Sequence, residues 1–177
     1  MKNKRTFVVG IDASARSTGV VVMGADTSPK EHLIKTPRIK EGERLNRIYS
    51  EFAKILENKK FVMAVMEGPS YQSTNKPFTL GEVYGIFKLS CTQNRIPLVI
   101  IPPRSLKKYA VGTGNAKKEQ MVTRAKLQGC SSESNDIADA WFAAKLALDI
   151  VDGRSASQER ASQEVVHNIL NGEVPWH

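Results

Sequence analysis

The chain has 177 residues, 41% of them hydrophobic, and its 26 Lys and Arg against 18 Asp and Glu give a formal charge of +8. That length suits one domain burying roughly two-thirds of the surface its unfolded chain exposes, and that charge suits a polyanionic partner, nucleic acid above all, as well as a plain basic protein. No apolar run is long enough to span a bilayer, and Cys91 and Cys130 stand without a CxxC pair or a histidine cluster, which argues against a membrane protein, a disulfide scaffold and a zinc module.

The basic start MKNKR passes directly into FVVGID with no cleavage-site pattern, so a cytoplasmic protein is expected, or one of the host cytoplasm if the source is viral. Short apolar runs at 7–11 and 20–23, joined by the small polar turn DASARSTG, predict two adjacent strands, with a weaker third over 32–35. ERLNRIYSEFAKILEN then sets Leu45, Ile48, Phe52, Ile55 and Leu56 at helical spacing, a helix with one face on a sheet. FVMAVME is continuously apolar, as a central strand covered on both sides is. Residues 68–77 read as a loop, and Pro77 opens a helix to about residue 93.

PLVIIPP is another buried strand, stopped by Pro102 and Pro103, and the Lys-rich RSLKKYAVGTGNAKK after it reads as a turn. Helices are expected over about 116–128 and through DIADAWFAAKLALDI. From Gly153 the chain is polar, and Ala161, Val165 and Ile169 give a weak stripe that either docks or stays mobile. Strands first, then strands alternating with helices, indicate an α/β sheet covered by helices. The expected division is one domain over 1–152 and a C-terminal tail, helical at most, over 153–177.

Four acids stand out. Asp12 ends the first strand and Glu67 the fourth, and the reactive crevice of an open α/β sheet lies beyond the carboxyl ends of its strands. Asp136 and Asp139 begin the last long helix three residues apart. The face carrying Asp139 continues through Ala143, Leu146 and Ile150, so a carboxylate stands where a core residue belongs. Gathered carboxylates repel one another, and burial disfavours their charge further, unless a cation compensates. Ligands that are all oxygen suit Mg²⁺ or Mn²⁺, and a pair of such ions serves in-line phosphoryl displacement. Taken singly, Asp12 also fits a turn before a Ser-rich loop, and Asp136 also suits the positive end of a helix. Glu67 and Asp139 have no such ready structural explanation.

GIDAS with STG, then VMEGP, then LKKYAVGTGNAKKEQM, then DIADAWFAA, in that order over about residues 7–148, resemble the successive motifs of RuvC-type Holliday junction resolvases. The resemblance implies an RNase H-like α/β fold, a central mixed five-stranded sheet flanked by helices. It also implies a homodimer that binds four-way DNA junctions and nicks two opposed strands with Mg²⁺, Mn²⁺ being able to substitute. Carried over by position, Asp12, Glu67, Asp136 and Asp139 are the catalytic, metal-holding acids. Lys107 and Lys118 match basic positions that the family uses near the scissile phosphate. Leu80, Gly81 and Gly85 of LGEVYG resemble its dimer-helix pattern.

This chain departs from the family in having Ala13 and Ser14 where Pro-Gly is common after the first aspartate, and the position of Asp136 is Asp or His among relatives. Tyr71 lies where the family inserts a Phe against junction bases, with Phe78 as a competitor. Arg104, Lys107, Lys108, Lys117, Lys118 and Arg124 are the expected backbone-phosphate contacts, though the same cations also fit a solvated loop. GTGNAKK lacks the spacing of a nucleotide-binding P-loop, and His32, His167 and His177 lie apart from the motifs. The same acids would serve a related nuclease acting on other branched DNA or on RNA–DNA hybrids, or persist in a junction-binding module that no longer cuts. The presence of all four favours an enzyme.

Overall fold

The computed structural model describes residues 6–24, 27–69, 77–172 and 174. β1 (Thr6–Asp12), β2 (Ser17–Gly24) and β3 (Thr27–Lys35) form an antiparallel meander. β4 (Lys60–Glu67) adds parallel to β1, and β5 (Leu98–Ile101) parallel to β4, giving the mixed order β3-β2-β1-β4-β5. Because β1 and β4 run the same way, Asp12 and Glu67 emerge at one edge of the sheet. The start of β2 lies beside them, Asp12 pairing with Gly19.

Side chains alternate between the two faces of a strand, and both faces here are covered, which is why the central strands read as unbroken apolar runs. Val9, Ile11, Val20, Ala64 and Met66 face α1 (Glu41–Leu56) and α2 (Pro77–Gln93), where Phe52 and Phe87 meet edge to face at 4.9 Å. Val8, Val21, Met63 and Val65 face the other layer, α3 (Pro103–Val111), α4 (Lys118–Leu127) and α5 (Asn135–Val151). The last helix, α6 (Arg160–Leu170), lies outside α3.

The apolar α5 sits unusually close to the sheet. A Cβ on Gly10 would stand 2.1 Å from the Ala140 carbonyl oxygen and 2.2 Å from the Ala144 nitrogen; one on Gly19 would stand 2.0 Å from the Asp136 carbonyl oxygen. Ala138, Ala140, Ala143, Ala144 and Ala147 are all buried, so small residues on the helix meet glycines on the strands. This contact sets the first turn of α5, and with it Asp136 and Asp139, over the starting edge of β2.

Sequence and structure differ at two places, and of the two outcomes left open for the tail the structure shows one. β3 begins at Thr27 instead of residue 32, because its first half is a polar, exposed edge in which the ladder to β2, not an apolar pattern, makes the strand. The Lys-rich segment is not one turn: Pro103 takes the first position of α3, and Leu106, Tyr109 and Ala110 bury a helical face. The tail docks. Val165, Val166 and Ile169 are buried, Ser162 Oγ donates to the Tyr109 carbonyl at 2.8 Å, and Lys108 pairs with Glu164 at 2.7 Å. Asp149, buried on α5, accepts from Tyr109 Oη at 2.7 Å, Ser155 Oγ at 3.0 Å and the Ala156 amide at 3.0 Å. Its carboxylate thus ties the tail and α3 to the core. Cys91 and Cys130 are buried free thiols, and no helix among the described residues is long and apolar enough to cross a membrane.

A methyl group at Gly10 has backbone on two sides and nothing flexible to displace. Gly10→Ala is expected to lower the unfolding free energy by on the order of 3 kcal/mol, read from the urea midpoint, whereas Gly42→Ala, which meets nothing within 4 Å, leaves the midpoint little changed or raised.

Candidate active site

Three secondary-structure ends supply the acids: Asp12 closes β1, Glu67 closes β4, and Asp136 and Asp139 lie in the opening turns of α5. All four are partly buried, and they act on one another. Burial, then Glu67, Asp139 and Asp136 in that order, push the Asp12 carboxyl well above the usual range, with Lys118 pulling the other way. Burial and Asp139 raise Glu67 to about 7, against Lys107 and Lys118. Burial raises Asp139 to about 6, again opposed by Lys107 and Lys118, with Asp136 adding to the rise. Acids from distant parts of the chain therefore share one electrostatic neighbourhood with two lysines, one from α3 and one from the first residue of α4.

Two hydroxyls hold this neighbourhood in place. Ser17 Oγ donates to Asp136 Oδ2 at 2.5 Å, across 119 residues of sequence. Ser17 is itself fixed because the β1–β2 turn is pinned: Thr18 Oγ1 donates to the Ser14 carbonyl at 2.8 Å, and Thr36 Oγ1 to the Ala15 carbonyl at 2.7 Å. Tyr84 Oη, from α2, donates to the Glu67 carbonyl at 2.6 Å, and burial, followed by Asp12 and Glu67, holds its phenol above the usual range. Neither residue stands out in the sequence. Ser17 belongs to the STG triplet and Tyr84 to LGEVYG, but only the three-dimensional pairing shows what their hydroxyls reach.

The carboxylates are gathered without being closed on a point: among the described residues no three His, Cys, Asp or Glu side chains stand together as a ready-made cation cage. Acidic groups repel one another unless positive charge stands between them. The donors are all oxygen and fit a hard divalent ion by their chemistry.

The expected basic contacts divide. Lys107 and Lys118 act on the acids, and Arg104 and Lys117 are exposed nearby in sequence. Lys108, one position on from Lys107, faces the tail and is paired with Glu164, and Arg124 is paired with Glu159. Both are engaged by the tail instead of facing the carboxylates. Tyr71 lies outside the described residues. Phe78 is 88% exposed on α2, and Gly81 and Gly85 open onto free space, while Leu80 packs partly into the core.

Known proteins resemble this chain in sequence and in fold. The RuvC of Ruegeria pomeroyi is 29% identical over 166 residues, 90% of this chain and 98% of its own. That of Ehrlichia ruminantium (strain Welgevonden) is 33% identical over 148 residues, 75% of this chain and 92% of its own. Among solved structures, Thermus thermophilus RuvC in complex with a Holliday junction substrate superposes with a TM-score of 0.71 at 18% identity, covering 97% of this chain and 99% of that one. The yeast mitochondrial Holliday junction resolvase Ydc2 gives 0.51 at 16% identity, covering 93% and 83%. These likenesses establish the RNase H-like fold. The sequence pattern described as crossover junction endodeoxyribonuclease RuvC matches residues 8–152, and with that match spanning most of its length the chain belongs to the RuvC family.

Proposed function

We propose that this protein is a structure-specific endonuclease that resolves four-way DNA junctions, hydrolysing phosphodiesters with Mg²⁺ and nicking two opposed strands as a homodimer in the cytoplasm. Its decisive support is the gathering of Asp12, Glu67, Asp136 and Asp139 at one sheet edge within reach of Lys107 and Lys118, in a chain of the RuvC family. The nuclease unit is 1–152, and 153–177 is a C-terminal tail whose helix α6 packs on α3.

Asp12 and Glu67, with Asp136 and Asp139 opposite, would hold Mg²⁺, and Mn²⁺ by the same oxygen chemistry. Bound there, divalent ions would lower the pKa of an attacking water and neutralise charge on the phosphate. The chain's own groups do the rest. Asp12, between the strand and helix acids, is the common member of the set. Lys107 and Lys118 place positive charge beside the phosphate, in a partly buried site where it counts for more than in water. Ser17 fixes the rotamer of Asp136, and Tyr84 fixes the backbone from which Glu67 projects. Arg104 and Lys117, with Lys107 and Lys118, hold the DNA by its backbone, and an aromatic side chain, Tyr71 or Phe78, is offered to the junction bases. The open face of α2, with Phe78 and Leu89 exposed and glycines at 81 and 85, is suited to close approach of a second copy.

Asp12→Asn and Asp139→Asn are expected to abolish nicking of a synthetic four-way junction in Mg²⁺ while leaving junction affinity within a few-fold of the parent; a variant that cuts at the parental rate contradicts the assignment. Ser17→Ala is expected to weaken divalent-ion affinity about tenfold, the usual cost of removing a group that orients a ligand, measured calorimetrically with Ca²⁺ so that no cleavage intervenes.

The raised carboxyls also have a sign in stability. With folded values of about 7 for Glu67 and about 6 for Asp139, the native state binds more protons than the unfolded one between roughly pH 4 and pH 7, so these groups destabilise the metal-free fold as pH rises through that window. The melting temperature of Glu67→Gln should therefore gain on that of the parent between about pH 5.5 and about pH 7.5 in chelator, and saturating Mg²⁺ should raise the parent's melting temperature more at the higher pH.

A further inference from the structure

Alternation along β3 separates its two lysines. Ser17 pairs with Lys35, Gly19 with Leu33, Val21 with Glu31 and Val22 with Lys30, and paired residues of a ladder place their side chains on one face. Leu33 packs into the core on the α5 side and Ile34 into the core on the α1 side. Lys35 therefore shares the α5 face with Ser17, and Lys30 lies on the opposite face. Lys35 is exposed, and among the described residues no carboxylate stands within ion-pair distance of it. The acids on its face are engaged elsewhere: Asp136 accepts from Ser17 Oγ at 2.5 Å, and Glu31 accepts from the Ser131 amide at 2.7 Å and the Ser131 hydroxyl at 2.8 Å. The end of β3 is also held in place. Thr36, the next residue, donates its amide to the Arg16 carbonyl at 2.9 Å and its hydroxyl to the Ala15 carbonyl at 2.7 Å, which ties Lys35 to the turn that follows Asp12.

The meander brings the last residue of β3 to the same sheet edge as Asp12, the last residue of β1. The cations already placed at the site work from the other flank, where Lys107 and Lys118 act on Glu67 at the end of β4 and on Asp139. In the order β3-β2-β1-β4 the ends of β3 and β4 are three strand spacings apart, roughly 14 Å, with Asp12 and the Ser17–Asp136 bond between them. One DNA strand presents about four phosphates over that axial length. A strand laid across this edge with one phosphate at the acids leaves further phosphates on the β3 side, where Lys35 stands on the face that carries the acids. A lysine on an edge strand also discourages pairing with another sheet, but that purpose makes no distinction between Lys35 and Lys30.

We propose that Lys35 is a backbone-phosphate contact on the β3 flank of the site, holding the DNA strand on the side of the acids away from Lys107 and Lys118. This rests on the nuclease function proposed above. The test compares Lys35→Gln with Lys30→Gln in the full chain, two equal losses of charge on opposite faces of one strand, and with Lys35→Arg, which keeps the charge. Fluorescence anisotropy in Ca²⁺ with a labelled four-way junction, and separately with a linear duplex, gives affinity against salt without cleavage. Lys35→Gln should bind about three- to tenfold more weakly at moderate salt, and its log–log salt slope should fall by roughly one, the share of a single phosphate contact. Lys30→Gln and Lys35→Arg should stay within about twofold of the parent and keep its slope, and all three variants should keep the parent's melting temperature. A Lys35→Gln protein with the parent's affinity and slope overturns the contact, and so do equal losses in Lys35→Gln and Lys30→Gln, which would report net charge alone. Failure of the parent to nick junctions in Mg²⁺ would remove the nuclease function, whereas the linear-duplex affinities would still decide Lys35.

Discussion

Negative charge that is partly buried and only partly compensated is the constraint on which this structure depends. Burial and neighbouring acids push Asp12, Glu67 and Asp139 upward, and among the described residues Lys107 and Lys118 oppose them. Nothing about folding requires this, since apolar residues at the same positions would remove the repulsion. The chain tolerates it because the surrounding core is large and because the elements that carry the acids are held from elsewhere. Parallel β1 and β4 bring two acids to one edge, and glycines in β1 and β2 let α5 descend far enough to bring the other two.

The lysines depend on a second layer of construction. Neighbouring residues on a helix point in different directions, so Lys107 and Lys108 divide their work: one acts on the carboxylates, the other reaches Glu164 in the tail. Tyr109, next along, donates to buried Asp149, and its carbonyl accepts from Ser162. α3 is thereby fastened on its far side by α5 and α6, which fixes the angle at which it presents Lys107. The tail is a brace for a basic residue of the site as well as a cover for apolar surface.

Much of this was legible in the sequence because periodicity and punctuation carry it. The unbroken FVMAVME marked a central strand, the spacing of Ile48, Phe52 and Ile55 marked α1, and Asp139 on an otherwise apolar stripe marked itself as out of place. The first half of β3 was hidden because an exposed edge strand has no apolar alternation to read. α3 was hidden by its lysines, whose charge suggests a loop although Leu106, Tyr109 and Ala110 lie at helical spacing. Ser17, Tyr84 and Asp149 were invisible for a different reason: each acts through a partner at least 17 residues away, or through several at once, and one sequence carries no record of such pairs. Lys108 and Arg124 looked equivalent to Lys107 and Lys118 for the same reason, because only the docked tail tells the two pairs apart.

Anomalous diffraction from crystals grown with Mn²⁺ probes the origin of this repulsion most directly. Strong peaks within coordination distance of Asp12, with Glu67 and Asp139 drawn in from their metal-free positions, are the expected result. Manganese bound only elsewhere, with the acids still apart, would mean that the carboxylates gather for some purpose other than holding a divalent ion.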